Sequence, residues 1–222
     1  LITGVIILIV SLVSGVLGVM MAIVQHDLKR LLAYHSIENI GIIGIGIGLG
    51  VIGQATGNGT LSLLGYAGGL LHVLNHSLFK SLLFFNAGSV YHSAHTRNME
   101  LTGGLMRRMP WTAILFLTGS LAICGLPPFN GFISEYLIYM GMFGSLSGAT
   151  LYHSILIVGS IAALSLIGGL AIFCFTKAFG IVFLGEPRTP HAAAAHEVCP
   201  AMIVPMALLA AAAFAVAAPA AA

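Results

Sequence analysis

The sequence predicts an all-α integral membrane protein: a polytopic bundle of about six transmembrane helices, one of them broken at Pro127-Pro128. Three observations predict it. Hydrophobic residues make up 59% of the 222 residues and charged residues only 6%, where a soluble domain carries roughly 25% charged residues. The mean hydropathy is +1.06. The apolar residues also fall in runs of about 20 or more, the length that crosses a hydrocarbon core as a helix. Membrane-spanning strands would be about ten residues long with alternating polarity. The same composition excludes other classes. Six acids and eight bases are too few to cover a water-facing surface, which argues against a soluble enzyme or a disordered linker. A net charge of +2 does not point to nucleic acid. Cys124, Cys174 and Cys199 are widely spaced without a CxxC, so neither a disulfide framework nor a zinc site is expected.

The spans follow in order. The first covers residues 1 to about 24, an uninterrupted apolar run with no basic n-region or cleavage site before it, so a signal peptide is not expected. The second runs from about residue 30 to 53. It carries Gly41, Gly44, Gly46, Gly48 and Gly50, and small residues let helices approach closely in a bilayer, so it is expected in the packed interior. The third covers 61–91, the fourth 111–143 with the proline break in its middle, and the fifth 153–184. The sixth starts at Pro200 and runs to the end of the sequence.

The loops alternate in charge. The first holds Lys29 and Arg30, the third Arg97, Arg107 and Arg108, and the fifth Arg188, with Lys177 close by. The second (residues 54–60) and the fourth (144–152) hold neither Lys nor Arg. Six spans place the basic loops on one side, and the positive-inside rule makes that side cytoplasmic. The polar stretch 95–110 reads as a solvated amphipathic connector.

An ionisable residue inside a membrane is a functional candidate by default. His72, His76 and Lys80 recur at i, i+4 and i+8 on one helix face and span about 12 Å along the axis. Imidazole both accepts and donates a proton near neutral pH, and a desolvated lysine can release one, so the row reads as a proton relay. Haem ligation would need a second histidine from another helix, and none matches. Glu135 lies about one turn past the break formed by Gly125, Pro127, Pro128 and Gly131, and broken helices beside an ionisable group recur in transporters. Lys29 sits at a helix start, where topogenic charge is the simpler explanation. His35 and Glu38 lie one turn into the second span and can form an ion pair or join the relay.

These strings carry a resemblance. QHDLKRLLAYHSIENIGII, HVLNHSLFKSLLFFNAGSV, HTRNMELTGGLMRRMPWTA and GLPPFNGFISEYLIY resemble the antiporter-like proton-translocating subunits shared by respiratory complex I, Mrp cation/proton antiporters and membrane-bound hydrogenases. YHSIENIG and FGIVFLGEPR resemble the branch of hydrogenase-4 component B and formate hydrogenlyase subunit 3. The resemblance covers nearly the whole chain to about Arg188. It implies a C-terminal-half fragment: residues 1–185 as the second inverted repeat, a proton-conducting transmembrane domain, and residues 186–222 as a loop and truncated final helix. It implies that Lys29, in the D-[LI]-K-R motif, joins His72, His76, Lys80 and Glu135 in a hydrophilic axis, with His35 and Glu38 as further candidates. Glu38 has no charged counterpart in the complex I subunits.

The expected function is that of a proton-translocating membrane subunit of a hydrogenase-4/formate hydrogenlyase or NADH:quinone oxidoreductase-like complex, passing protons along Lys29, His76 and Lys80 toward Glu135. No Fe–S cysteine set, flavin motif or nucleotide loop is present, so no cofactor is expected. Electron chemistry then belongs to a soluble redox arm, with other membrane subunits and the lipid bilayer as partners and the inner (cytoplasmic) membrane as location. Two other readings stay open: an Mrp-type Na+/H+ antiporter subunit, and a passive membrane anchor for a catalytic arm.

Overall fold

In the computed structural model, residues 1–147 and 150–217 are described. Residues 148–149 of the expected fourth loop, and the end of the expected sixth span beyond residue 217, lie outside the described residues. The helices are α1 (Ile2–Ile23), α2 (Leu28–Thr56), α3 (Gly59–Ala94), α4 (Pro110–Ile123), α5 (Asn130–Gly144), α6 (Leu151–Phe183), α7 (Pro190–Ala194) and α8 (Pro200–Ala217). Helices α1, α2, α6 and α8 are long and apolar enough to cross a membrane. Helix α3 is the longest, at 36 residues, and carries the histidine–lysine row.

Local chemistry sets the boundaries. Asp27 caps α2 by accepting from the Arg30 amide at 3.0 Å, so the helix begins earlier than the apolar run suggests and takes in Lys29. Asn58 caps α3 through the Leu61 amide at 3.0 Å, and Gly57 ends α2 at φ +71°. A side-chain oxygen in this position satisfies an amide left free at the first turn. The expected fourth span is two helices. The chain leaves α4 at Cys124, turns at Gly125 with φ +62°, passes the cis Pro127-Pro128 bond and resumes as α5 at Asn130. Neither proline has an amide hydrogen to continue a helix.

Helix α2 lies in the interior, antiparallel to α1 on one side and α3 on the other. Glycine makes this possible. A Cβ on Gly41 would fall 2.6 Å from the Gly15 amide of α1, and one on Gly46 would fall 2.7 Å from Gly69 Cα of α3. Helix α5 runs back along α3, with Asn130 beside Asn75, Ser134 beside His72, and Ile138 against Gly68. Two apolar clusters fill the bundle. One holds Leu31, Leu32, Phe79, Leu82, Phe116 and Phe183, and the other Leu8, Ile45, Leu49, Ile52, Ile138 and Met142.

The three basic loops meet at one end. The Leu28 amide donates to Arg97 O at 2.9 Å and the Met99 amide to His26 O at 2.9 Å. The Lys177 ammonium donates to Ile23 O at 2.7 Å, and the Arg188 guanidinium to Ile181 O at 2.9 Å. The 54–60 turn and the described parts of the 144–152 loop meet at the other end, where Thr56, Asn58, Ser145 and His153 line one cleft. The connector 95–110 departs from the sequence expectation. Met99, Leu105 and Met109 are fully buried, so it is docked into the bundle. Its charged residues alternate with methionine and leucine that insert into the first apolar cluster.

Helix α4 has no side-chain cap from its own N-cap residue, Met109. Glu197 supplies one from 85 residues away. Its carboxylate accepts from the amides of Trp111 at 2.8 Å and Thr112 at 3.3 Å, and from the Thr112 hydroxyl at 2.6 Å. Glu197→Ala is therefore expected to lower stability by about 1–2 kcal/mol, the usual loss for a cap. Thermal unfolding in detergent checks this, and an unchanged midpoint would contradict it.

Candidate functional site

Between the two apolar clusters lies a layer of buried polar side chains contributed by α2, α3 and α5. His72 and Asn75 project from α3, Asn39 from α2, and Asn130 and Ser134 from α5, all fully buried. A His72 ring nitrogen, Nε2, meets Asn39 Oδ1 at 3.0 Å. The other, Nδ1, meets Ser134 Oγ at 2.9 Å. Asn75 Nδ2 donates to Asn130 O at 2.7 Å and to Ser134 Oγ at 2.9 Å. Asn130 Nδ2 returns a bond to Asn75 Oδ1 at 3.1 Å. This reciprocal pair ties the start of α5, just past the break, to the middle of α3.

Lys80, two turns from His72 on α3, is 94% removed from contact with solvent (6% exposed). Its ammonium donates to Leu32 O of α2 and lies 5.3 Å from the centre of the Phe84 ring. A carbonyl and an aromatic face both hold a buried cation. His76, between them, packs edge-on against Phe79, and its buried Nε2 has no hydrogen-bond partner among the described residues. Lys29 lies toward the basic end, half-buried, with its ammonium 5.4 Å from the Tyr91 ring centre. Tyr91, Lys80, His76 and His72 thus succeed one another along α3 away from the basic end.

His35 and Glu38 are buried and bonded to each other within α2. Asn39 lies one turn further along α2, and Glu38 is close enough to Lys80 and Glu135 to act on both electrostatically. The His35 ring lies 4.6 Å from that of Phe175 on α6, and Glu38 packs against Gly18 of α1. The link to His72 runs through the backbone: Asn39 Nδ2 donates to His35 O at 2.7 Å. Glu135 is half-buried and points back at the break. A Cβ on Gly125 would lie 2.9 Å from both carboxylate oxygens, so the absence of a side chain at Gly125 makes room for the carboxylate.

The structure thus brings His72 and the helix bearing Glu135 together through Ser134, and seats Lys80 against α2. It sets Lys29 apart at the basic end and pairs His35 with Glu38 on α2. Asn39, Asn75, Asn130 and Ser134 were not singled out in the sequence. A search for ionisable residues passes over them, whereas a search for any amide or hydroxyl at helical spacing from one would have found Asn39 at His35 + 4 and Asn75 at His72 + 3, though not Asn130 or Ser134. Among the described residues no group of three His, Cys, Asp or Glu side chains is close enough to hold a metal ion.

Residues 2–168 match the family described as NADH:quinone oxidoreductase/Mrp antiporter, TM. The chain belongs to this family. It is 45% identical over 210 residues to hydrogenase-4 component B of Escherichia coli K12, an alignment covering 94% of this chain and 31% of the relative. It is 45% identical over 193 residues to formate hydrogenlyase subunit 3 of the same organism, covering 85% and 31%. The chain spans about a third of the length of these relatives. A chain of the Mrp complex from Dietzia sp. DQ12-45-1b superposes with a TM-score of 0.80 at 18% identity, covering 97% of this chain and 44% of that one. That likeness is one of fold. The NADH:quinone oxidoreductase/Mrp antiporter fold accounts for the all-helical membrane architecture and for the expectation that the sequence strings raised.

Proposed function

We infer that this chain is the second repeat of a proton-translocating membrane subunit in a hydrogenase-4/formate hydrogenlyase or NADH:quinone oxidoreductase-like complex. The observation that carries this reading is the line of Lys80, His76 and His72 on α3, buried at both ends and half-buried at His76, continued through Ser134 to the helix of Glu135. Buried titratable groups inside a membrane persist when they serve a path or a pair. Here they are threaded along one helix instead of being paired off. The names of the E. coli relatives favour the hydrogenase branch.

In this reading a proton arrives at Lys29 on the basic, cytoplasmic side, passes Lys80 and His76 with water between them, exchanges with His72 beside the path, and reaches Glu135 at the break. His35 and Glu38 stand beside the path as a secondary pair. A soluble redox arm supplies the energy, other membrane subunits complete the path, and the whole resides in the inner membrane with the basic loops cytoplasmic. Residues 1–185 form the conducting repeat and residues 186–222 a connecting loop and final helix.

The test is Glu135→Gln in the full-length subunit within its complex. The amide keeps the shape and removes the exchangeable proton. Redox-driven proton movement in sealed vesicles is expected to fall about a hundredfold or more, with assembly intact. Normal pumping in the variant contradicts the reading. Exchange that requires sodium and no electron donor would identify an Mrp-type Na+/H+ antiporter subunit instead. A passive anchor predicts that His76→Ala disturbs assembly and leaves proton flux unchanged.

A further inference from the structure

The hydrogen bonds around His72 have a fixed direction at every amide, and this fixes the protons on the ring. Asn39 Nδ2 donates to His35 O at 2.7 Å. A carbonyl oxygen only accepts, so the other end of this amide, facing His72 Nε2 at 3.0 Å, is the oxygen. His72 Nε2 must therefore carry a hydrogen. On the other side, Asn75 Nδ2 donates to Asn130 O at 2.7 Å, which orients that amide too, and its second hydrogen goes to Ser134 Oγ at 2.9 Å. The Ser134 hydroxyl then has one hydrogen and two places to send it: His72 Nδ1 at 2.9 Å or Gly131 O at 3.0 Å. It is the one free choice in the network.

We propose that His72 is a two-state proton site, with Nε2–H held permanently by Asn39 and a second proton gained or lost only at Nδ1, where the Ser134 hydroxyl reverses direction. In the neutral state the Ser134 O–H donates to Nδ1. When a proton binds, an Nδ1–H bond forms, the ring becomes an imidazolium, and Nδ1–H donates to Ser134 Oγ. The serine hydrogen turns to Gly131 O. The only species consumed is one proton from the relay, and it is returned when the steps reverse. Both states leave each His72 nitrogen hydrogen-bonded, which matters because an unmet polar group in a buried site is expensive. Ser134 is a positioning residue here and undergoes no net chemistry.

One consequence separates this from an ordinary histidine wire. A through-relay takes a proton on one nitrogen and releases it from the other. With Nε2–H facing a fixed acceptor, His72 cannot do that. It loads and unloads from the α5 side, so it acts as a switchable positive charge near the break. The titratable groups around it are His76 on α3, His35 and Glu38 beside Asn39 on α2, and Glu135 beside Ser134 on α5. This inference rests on the proton-path reading above.

The experiment uses 15N-histidine-labelled full-length protein in lipid bilayers, with His72 identified by the signals lost in His72→Gln. At alkaline pH the neutral ring is expected to show a protonated Nε2 and a bare Nδ1. Ser134→Ala should shift the Nδ1 signal alone, and Ser134→Thr should restore it. In the complete complex Ser134→Ala should lower proton flux about tenfold or more, the scale set by a lost bond to a charged group, while Ser134→Thr keeps most of it. A neutral ring protonated on Nδ1, or flux unaltered in Ser134→Ala, overturns the proposal. A wild-type complex that moves no protons would sink the proton-path reading instead, and the nitrogen signals would still decide the protonation of His72.

Discussion

Lys80→Met in the full-length subunit is expected to abolish redox-driven proton movement, by about a hundredfold or more, while the complex still assembles. Methionine fills a similar volume but cannot hold a proton. The expectation of intact assembly follows from what Lys80 touches. Its ammonium donates to Leu32 O, a carbonyl that lies inside α2 and keeps its helical bond when the lysine is gone. Its other neighbour is the Phe84 ring, an apolar surface on which a thioether packs well. Lys80 holds no salt bridge among the described residues, and a buried charge carries a desolvation cost that an apolar side chain does not. Flux is measured with a pH-sensitive dye in sealed vesicles, and assembly by co-purification of the partner subunits. Lost flux with full assembly is the expected pair of results. Full flux would remove Lys80 from the path.

The second large effect is structural. Gly41→Val is expected to prevent α1 from docking on α2 and to leave little folded protein. Even the first carbon of a side chain at this position would lie 2.6 Å from the Gly15 amide, 2.7 Å from Gly15 Cα and 2.7 Å from Ser11 O. All three are backbone atoms and cannot rotate away. The two helices would have to separate, and close packing between small residues is what holds helices together in a bilayer. Inserting atoms into a well-packed interior costs about 1–3 kcal/mol even where side chains can adjust. The yield of monodisperse protein after detergent extraction tests this, with Gly88→Val as control, because a Cβ at Gly88 meets nothing within 4 Å. Equal yields for the two variants would contradict the packing account.

Much of this architecture is legible in the sequence, for a physical reason. Lipid demands long apolar runs whose backbone bonds close internally, so the run at 2–23 and the one beginning at Pro200 announce their helices directly. Pro127 and Pro128 announce the break, because no amide hydrogen is available there to carry α4 into α5. The glycines of α2 announce an interior helix. What stayed hidden depends on partners distant in the chain. Nothing near Glu197 in the sequence marks it as a cap, because the helix it caps begins at Pro110. Residues 95–110 look solvated until Met99, Leu105 and Met109 are placed in the core. The candidate site divides in the same way. Lys80, His76 and His72 stand out by their charge and spacing along one helix. Asn39 and Ser134 are ordinary polar residues in sequence, and they gain meaning only because α2 and α5 bring them to the two nitrogens of one ring.

The proposal that this bundle moves protons is tested most directly on the wild-type complex, reconstituted in sealed vesicles with the basic loops outward and sodium omitted. Electron transfer by the redox arm is started and the pH of the lumen is followed. The account predicts that the lumen acidifies during turnover and that a protonophore collapses the gradient. Electron transfer at full rate with no change in lumen pH would contradict it.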